Sequence, residues 1–253
     1  MNASSSSASL AKVPEVTLLF WIIKIAATTL GETGGDAVSM SMELGYLVST
    51  AIFAVAFAAA VFAQISARRF HAPQYWFAII ASTTVGTTLA DFADRSLGVG
   101  YAGGSIILLL MLVASLWVWN RSLGSIAVNS VSTPKAELFY WLTIMFSQTL
   151  GTALGDWTAD TAGLGYVGAG GIFTGLLTLV GVAYFYSKLS HTLLFWLAFV
   201  LTRPLGAVVG DFLDKPVEHG GLALSRYTAT AVLLVFIVGC VWLLPQRAAE
   251  KAH

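Results

Sequence analysis

The sequence predicts an all-α, polytopic membrane protein with eight transmembrane helices, arranged as four copies of a two-helix repeat. The first observation is the amino-acid composition: only 10% of the 253 residues are charged, and the mean hydropathy is +0.79. A soluble domain carries about 25% charged residues. The second observation is a series of apolar runs of about 20 residues, the length that crosses a bilayer core. The third is a pattern that recurs four times.

Each copy of the repeat begins with an aromatic residue followed by a tryptophan: Trp21, Trp76, Trp141 and Trp196. A glycine stands ten residues after each tryptophan, and an aspartate preceded by Gly or Ala stands five residues after that glycine. The glycines are Gly31, Gly86, Gly151 and Gly206, and the aspartates are Asp36, Asp91, Asp156 and Asp211. Because ungapped matches of this kind do not recur four times by chance, the chain contains four copies of an internal repeat.

The repeats span about 16–67, 73–120, 136–188 and 191–245, within a single membrane domain at 16–246. The Ser-rich stretch 1–15 lacks the charged, apolar and cleavage regions of a signal peptide, so we expect a disordered cytoplasmic tail there. A second cytoplasmic tail is expected at 247–253. The second half of each repeat is an apolar stretch typical of an ordinary span. These stretches are 46–64, 102–119, 167–186 and 226–245.

The basic residues predict the orientation in the membrane. Eight of the thirteen lie in the tails and in the links between repeats: Lys12, Arg68, Arg69, Arg121, Lys135, Lys188, Arg247 and Lys251. By the positive-inside rule, both termini are cytoplasmic. Because each repeat crosses the bilayer twice, all four copies then have one orientation. The net charge of zero argues against a nucleic-acid partner and leaves the lipid bilayer as the expected environment.

Acidic residues concentrate in the first helix of each repeat and just beyond it. Ten of the thirteen lie there: Glu32, Asp36, Glu43, Asp91, Asp94, Asp156, Asp160, Asp211, Asp214 and Glu218. In the first repeat, Lys24, Glu32 and Asp36 are separated by multiples of four residues and therefore share one helix face. Lipid does not solvate such a polar stripe. We therefore expect the odd helices to form an inner group and the even helices to cover it.

Several carboxylates that converge in this way favour a cation transporter. Hard divalent cations prefer oxygen ligands, and carboxylates held close together exchange protons, since like charges raise the pKa of one member. The sequence therefore favours export or exchange of a divalent metal such as manganese against protons. The predicted metal ligands are Asp36, Asp91, Asp156, Asp211 and Glu32. We expect no cofactor other than such a cation, and no enzymatic activity.

Further charged residues are predicted to line the pathway or to pair with these ligands: Lys24, Arg203, Glu43, Asp94, Asp160 and Asp214. In this hypothesis, Lys24 and Arg203 hold carboxylates in the empty state and are displaced when a cation enters. The acidic members Asp94, Asp160 and Asp214 pair with Arg95, Lys215 or solvent. Glu43 extends the stripe of the first helix.

The same features also have structural explanations. The four motif glycines let membrane helices approach closely, and packing is their expected role. The aspartates would then cap helix ends, and the four tryptophans would anchor the chain at the membrane interface. On this alternative, the protein is a non-transporting assembly module that binds partners through its glycines. The sequence leaves the ion, the direction of transport and the oligomeric state open.

The repeated Trp-x9-Gly-x3-(Gly/Ala)-Asp pattern resembles that of a bacterial family of predicted integral membrane, or membrane-anchored, proteins. The resemblance extends from about Val16 to Leu244 and implies a bacterial inner-membrane protein. The segment from Glu32 to Ser39 also looks like the Glu-x-Gly-Asp-(Lys/Arg)-(Ser/Thr) signature of manganese and calcium cation/proton exchangers. One additional glycine separates Glu32 from Asp36, and Ala37 stands where the signature has a basic residue.

Overall fold

The computed structural model describes residues 11–249. Within that range the chain forms eight α-helices and no β-strand, which confirms the all-α class. The helices are α1 (Leu18–Asp36), α2 (Gly45–Ser66), α3 (Ala72–Asp91), α4 (Tyr101–Leu123), α5 (Pro134–Asp156), α6 (Gly165–Tyr186), α7 (His191–Asp214) and α8 (Arg226–Leu243). By length and composition, five of them could cross a membrane: α2, α4, α6, α7 and α8.

Local sequence explains where the odd helices begin and end. The side chains of Thr17 and Thr133 cap α1 and α5, and prolines lie in the first turns of α3 and α5, where no amide hydrogen is needed. After the motif aspartate, α1, α3 and α5 continue into a π-helical turn: Ala37–Ser41, Phe92–Ser96 and Trp157–Thr161. Gly45 and Gly165, with φ of 73° and 63°, then reverse the chain into the next helix.

The four odd helices form a closed inner ring in the order α1, α3, α5, α7 and back to α1. Each even helix packs on the odd helix of the following repeat: α2 on α3, α4 on α5, α6 on α7, and α8 on α1. The even helices turn large apolar side chains outward, such as Phe62, Trp117, Phe185 and Val235, which are 64–77% exposed. The structure therefore has the inner and outer layers that the polar stripes predict.

The described part of the N-terminal tail lies against the ring. The Lys12 ammonium donates to the carbonyls of Gln64, Ile65 and Ala67 at the end of α2, and it lies 2.6 Å from a carboxylate oxygen of Glu137. Residues 11–14 are buried, because Lys12 satisfies these carbonyls while its apolar neighbours pack inward. This differs from the disordered tail expected up to residue 15. Residues 1–10 and 250–253 lie outside the described range.

Candidate functional site

Five layers of side chains fill the inner ring, each with one residue from every odd helix. Successive layers are four residues apart in sequence, because residues four apart share a helix face. We name them the aromatic layer (Phe20, Tyr75, Tyr140, Phe195), the lysine layer (Lys24, Ile79, Ile144, Phe199), the arginine layer (Thr28, Thr83, Gln148, Arg203), the glutamate layer (Glu32, Thr87, Thr152, Ala207) and the aspartate layer (Asp36, Asp91, Asp156, Asp211). None of these residues is more than 4% exposed. The four odd helices therefore run parallel, from an aromatic end to an acidic end.

The aromatic layer closes one end of the ring. Each of its residues packs on the tryptophan of the next repeat, with ring centroids 5.5–6.1 Å apart. The hydroxyls of Tyr75 and Tyr140 also form a 2.6 Å hydrogen bond. Trp76, Trp141 and Trp196 are at most 3% exposed. The interpretation of these three tryptophans as interfacial anchors is therefore wrong, since the neighbouring repeat covers them. Trp21 is half-buried, and its role as an anchor stays a prediction.

The motif glycines allow the inner helices to approach one another. Each faces the arginine-layer residue of the next repeat: Gly31 faces Thr83, Gly86 faces Gln148, Gly151 faces Arg203 and Gly206 faces Thr28. A Cβ atom at any of them would overlap that neighbour; at Gly86 it would lie 2.9 Å from Cβ of Gln148. The glycines are thus packing positions within one chain, and they do not face a partner.

Arg203 reaches across the centre of the ring. Its Nη1 donates to Oε2 of Glu32 on α1 at 3.0 Å. Its Nη2 donates to the hydroxyls of Thr87 on α3 and Thr152 on α5, each at 2.5 Å. Arg203 therefore bonds to all three residues that can accept in the glutamate layer. This is the contact with a carboxylate that the sequence predicts for Arg203.

Lys24 does not hold a carboxylate. Its ammonium lies 3.5 Å from the hydroxyl of Thr202 and 4.2 Å from the centre of the Phe199 ring. Within residues 11–249 no ion pair includes Lys24, although its side chain is fully buried. Lys24 has no such partner because it lies two layers from Glu32, toward the aromatic end, and the other residues of its own layer are apolar. The pairing predicted for Lys24 is therefore wrong.

At the acidic end, two basic side chains bridge the four aspartates in pairs. The Lys215 ammonium lies 2.7 Å from Oδ2 of Asp36 and 3.1 Å from Oδ1 of Asp211. Arg95 donates from Nε to Oδ1 of Asp91 at 2.8 Å, and its Nη2 lies 3.5 Å from Oδ2 of Asp156. Burial lowers the pKa of Lys215, but the surrounding carboxylates, Asp211 first, raise it by more, so that it lies above its ordinary value.

These bridges differ from the local pairs predicted for the adjacent acids. Lys215 and Arg95 pair with the aspartates four residues earlier, because that spacing brings side chains together on a helix and adjacent positions diverge. Asp214 instead accepts from Nε of Arg226 on α8 at 3.0 Å. Within the described range, neither oxygen of Asp94 accepts a hydrogen bond. Burial raises the pKa of this carboxyl, and Arg95 offsets the shift only in part.

Two other predicted pathway residues lie away from the centre. Asp160 is exposed at the last described π-helical turn, so solvent is its partner. Glu43 is also exposed, and its φ of 58° shows that the chain has already left the helix. The π-helical turn Ala37–Ser41 ends the stripe of α1 before Glu43, which therefore does not extend it.

Two groups of three carboxylates have oxygen atoms close enough to share one cation. In each group, one oxygen from every member lies within 4.8 Å of one from each other member. The groups are Glu32, Asp156 and Asp211, and Asp36, Asp211 and Asp214. Asp211 belongs to both, whereas Asp91 belongs to neither among the described residues. The four motif aspartates therefore surround one end of the ring without forming a single set of ligands.

Comparison with known proteins places this repeat in a family. The profile described as Repeat of Unknown Function (DUF347) matches four times, at residues 19–70, 74–124, 139–190 and 194–247. The chain belongs to this family. The four DUF347 matches agree with the four repeats found in the sequence, and each contains one odd and one even helix. No curated protein and no solved structure matches the chain.

Sequence reasoning gave no bridging role to Arg95, Lys215 and Arg226 of the DUF347 repeats. A signal for the first two was present, since a basic residue follows the motif aspartate by four positions in the second and fourth repeats only. Met40 and Asp160 occupy that position in the first and third repeats. The fourfold ring consequently has a twofold pattern of charge. Nothing in the sequence indicated Arg226, because it starts an otherwise apolar helix.

Proposed function

We propose that this protein is a membrane carrier that moves a divalent cation in exchange for protons. The observation that supports this most directly is an excess of buried negative charge at the acidic end of the ring. Seven carboxylates are buried there: Glu32, Asp36, Asp91, Asp94, Asp156, Asp211 and Asp214. Four basic side chains contact or adjoin them: Arg95, Arg203, Lys215 and Arg226. The carboxylates thus outnumber the basic side chains by three, and within the described range Asp94 has no ion-pair partner.

Such an excess has a physical consequence in a low-dielectric setting. A buried carboxylate without a counter-charge costs several kcal/mol, so it binds a proton or a cation. Protons and divalent cations then compete for the same oxygens, which is the basis of exchange. Manganese is the first ion to test, because the two groups of carboxylates offer oxygen ligands only.

The packing of the ring favours a carrier over an open channel. The aromatic layer fills one end, and Arg203 spans the centre with bonds to three other helices. A fixed positive charge at the centre of the pathway repels a passing cation. Transport would then require these layers to rearrange, as carriers do when they expose one side at a time.

We further propose that all eight helices cross a bacterial inner membrane. The parallel odd helices support one orientation for all four repeats, and the positive-inside rule places both termini in the cytoplasm. The acidic end then faces outward and the aromatic end inward. The odd helices α1, α3 and α5 are less apolar than the others, but an even helix packs on each of them and covers part of its surface.

The alternative of an assembly module has less support, because the motif glycines pack against neighbouring repeats of the same chain. It still makes a distinct prediction, namely that no cation changes the protein's stability or crosses the membrane with it.

Reconstitution into liposomes tests the proposal. Vesicles with a Mn²⁺-quenched dye inside should lose fluorescence when Mn²⁺ is added outside under a proton gradient. Asp36→Asn and Asp156→Asn, which remove predicted ligands, should abolish the signal. Asp160→Asn is the matched control, because this aspartate is exposed and belongs to neither carboxylate group. Equal rates in protein-free and protein-containing vesicles, for Mn²⁺, Mg²⁺, Ca²⁺ and Zn²⁺ alike, would overturn the proposal.

A further inference from the structure

We infer that Asp36, Asp211 and Asp214 form an outer site for a divalent cation, and that the ammonium of Lys215 occupies this site as a displaceable internal cation. The inference rests on the proposed function, because the site belongs to the same pathway. The three residues are 1%, 3% and 8% exposed, respectively. One carboxylate oxygen from each lies within 4.8 Å of one from each of the others.

Two of these carboxylates keep an oxygen without a partner. Asp36 uses Oδ2 for Lys215 at 2.7 Å, and Asp214 uses Oδ2 for Arg226 at 3.0 Å. Within the described range, Oδ1 of Asp36 and Oδ1 of Asp214 are buried and accept no hydrogen bond. A buried oxygen of this kind is costly unless a ligand uses it. These two oxygens are therefore available to a divalent cation that replaces the Lys215 ammonium among the carboxylates.

Lys215 is placed to leave the site. It directly follows the last residue of α7, and its side chain is 14% exposed, so a route to solvent exists. A lysine ammonium is a compact charge at the end of a flexible side chain. It can move away without breaking the paired hydrogen bonds of fixed geometry that an arginine guanidinium makes. Its 2.7 Å and 3.1 Å contacts to Asp36 and Asp211 are contacts that an incoming cation would take over.

Charge selects the class of ligand. With Lys215 displaced, the three carboxylates and the neighbouring Arg226 leave two negative charges, which one divalent cation neutralises. With Lys215 in place, one negative charge remains. A divalent cation thus neutralises both negative charges of the site, whereas a monovalent cation leaves one of them.

The other bridge lacks these properties. Arg95 donates from Nε to Asp91 at 2.8 Å, and Asp91 belongs to no group of three close carboxylates among the described residues. Guanidinium nitrogens hold a fixed geometry and stay charged. The structure therefore assigns the displaceable role to Lys215 and not to Arg95.

Binding of Mn²⁺ to the purified full chain tests the inference directly. Removing the internal competitor should make Lys215→Met bind Mn²⁺ with a Kd about tenfold lower than that of the wild type. Adding Asp214→Asn to this variant should cancel the gain. Lys188→Met removes an exposed lysine and serves as the control for loss of a positive charge. A Kd for Lys215→Met equal to or higher than the wild-type value overturns the inference.

A second measurement uses the wild-type protein and does not depend on the folding of a variant. Mn²⁺ should drive the Lys215 amine into solvent, so its modification by an impermeant amine reagent, followed by mass spectrometry, should rise severalfold. Lys188 in the same sample is the internal control. Unchanged or reduced modification of Lys215 at saturating Mn²⁺ also overturns the inference. If the wild type binds and transports Mn²⁺ while Lys215 stays protected, only this inference fails; if nothing binds, the proposed function fails too.

Discussion

Arg203 and Glu32 form a fully buried ion pair that joins the last repeat to the first. Nη1 of Arg203 lies 3.0 Å from Oε2 of Glu32, and the two residues are 0% and 2% exposed. The pair stands at the α7–α1 junction, where the ring closes. Thr87 and Thr152 complete its surroundings from the other two helices. An interaction between residues 171 positions apart thus lies at the centre of the molecule.

Removal of one member of this pair should be costly. Glu32→Gln leaves the Arg203 guanidinium buried without its counter-charge, and such a loss destabilises a protein by about 3–5 kcal/mol. The double variant Glu32→Gln with Arg203→Met should cost less than the two single variants together. Denaturant unfolding of the four proteins in detergent measures the coupling. Additive costs would mean that the two side chains do not stabilise each other.

Lys24→Met should behave differently. Lys24 is as deeply buried as Arg203 but pairs with no carboxylate in the described range, so its ammonium gains little from its surroundings. Methionine fills a similar volume and suits the otherwise apolar lysine layer. We expect a change of no more than about 1 kcal/mol, in the stabilising direction, by the same unfolding assay. A loss as large as that of Glu32→Gln would show that Lys24 has an important partner.

Gly206→Ala should strongly destabilise the ring. A Cβ at Gly206 would overlap the side chain of Thr28 and approach its carbonyl carbon at 2.9 Å, so α1 and α7 would have to separate. Overpacking of this kind costs about 1–3 kcal/mol or more. Gly239→Ala on α8 is the matched control, since its Cβ would contact no atom within 4 Å outside the neighbouring backbone of its own helix. The melting temperature should fall for the first variant and stay level or rise for the second.

Asp94→Asn should change how stability depends on pH. Because the pKa of the Asp94 carboxyl is raised in the folded state, this group stabilises the fold when protonated, and that contribution is lost as pH rises through the folded-state pKa. The amide that replaces this carboxyl carries no charge at any pH. The variant should therefore melt at the wild-type temperature near pH 4 and above it at pH 8. A gain of about 2–4 °C would correspond to about 1 kcal/mol. A difference that does not grow with pH would contradict the assignment.

The sequence alone indicates much of this architecture. The spacing of Trp21, Gly31 and Asp36 identifies the repeat, and the stripe through Lys24 and Glu32 places α1 on the inside, because both follow from periodicity within one helix. The close approach at the glycines follows from their size.

What the sequence could not supply is contact between repeats. Lys215 reaches Asp36, and Trp76 packs on Phe20, only because the odd helices are parallel and follow one another around the ring in chain order. Periodicity within a helix does not specify which helix lies next to it or in which direction the ring turns. Hence the burial of the tryptophans and the isolation of Lys24 from carboxylates were not predicted.

Closure of the ring has a consequence for how the chain could be rewired. The α7–α1 junction repeats the contacts of the other three, with Gly206 against Thr28 and Phe195 against Trp21, although no loop of the chain joins α7 to α1. The two ends of the described range already touch, since the Ala249 amide donates to the Val13 carbonyl at 2.9 Å. A circular permutant that begins at the second repeat, with a short linker from Ala249 to Ala11, should therefore assemble the same ring.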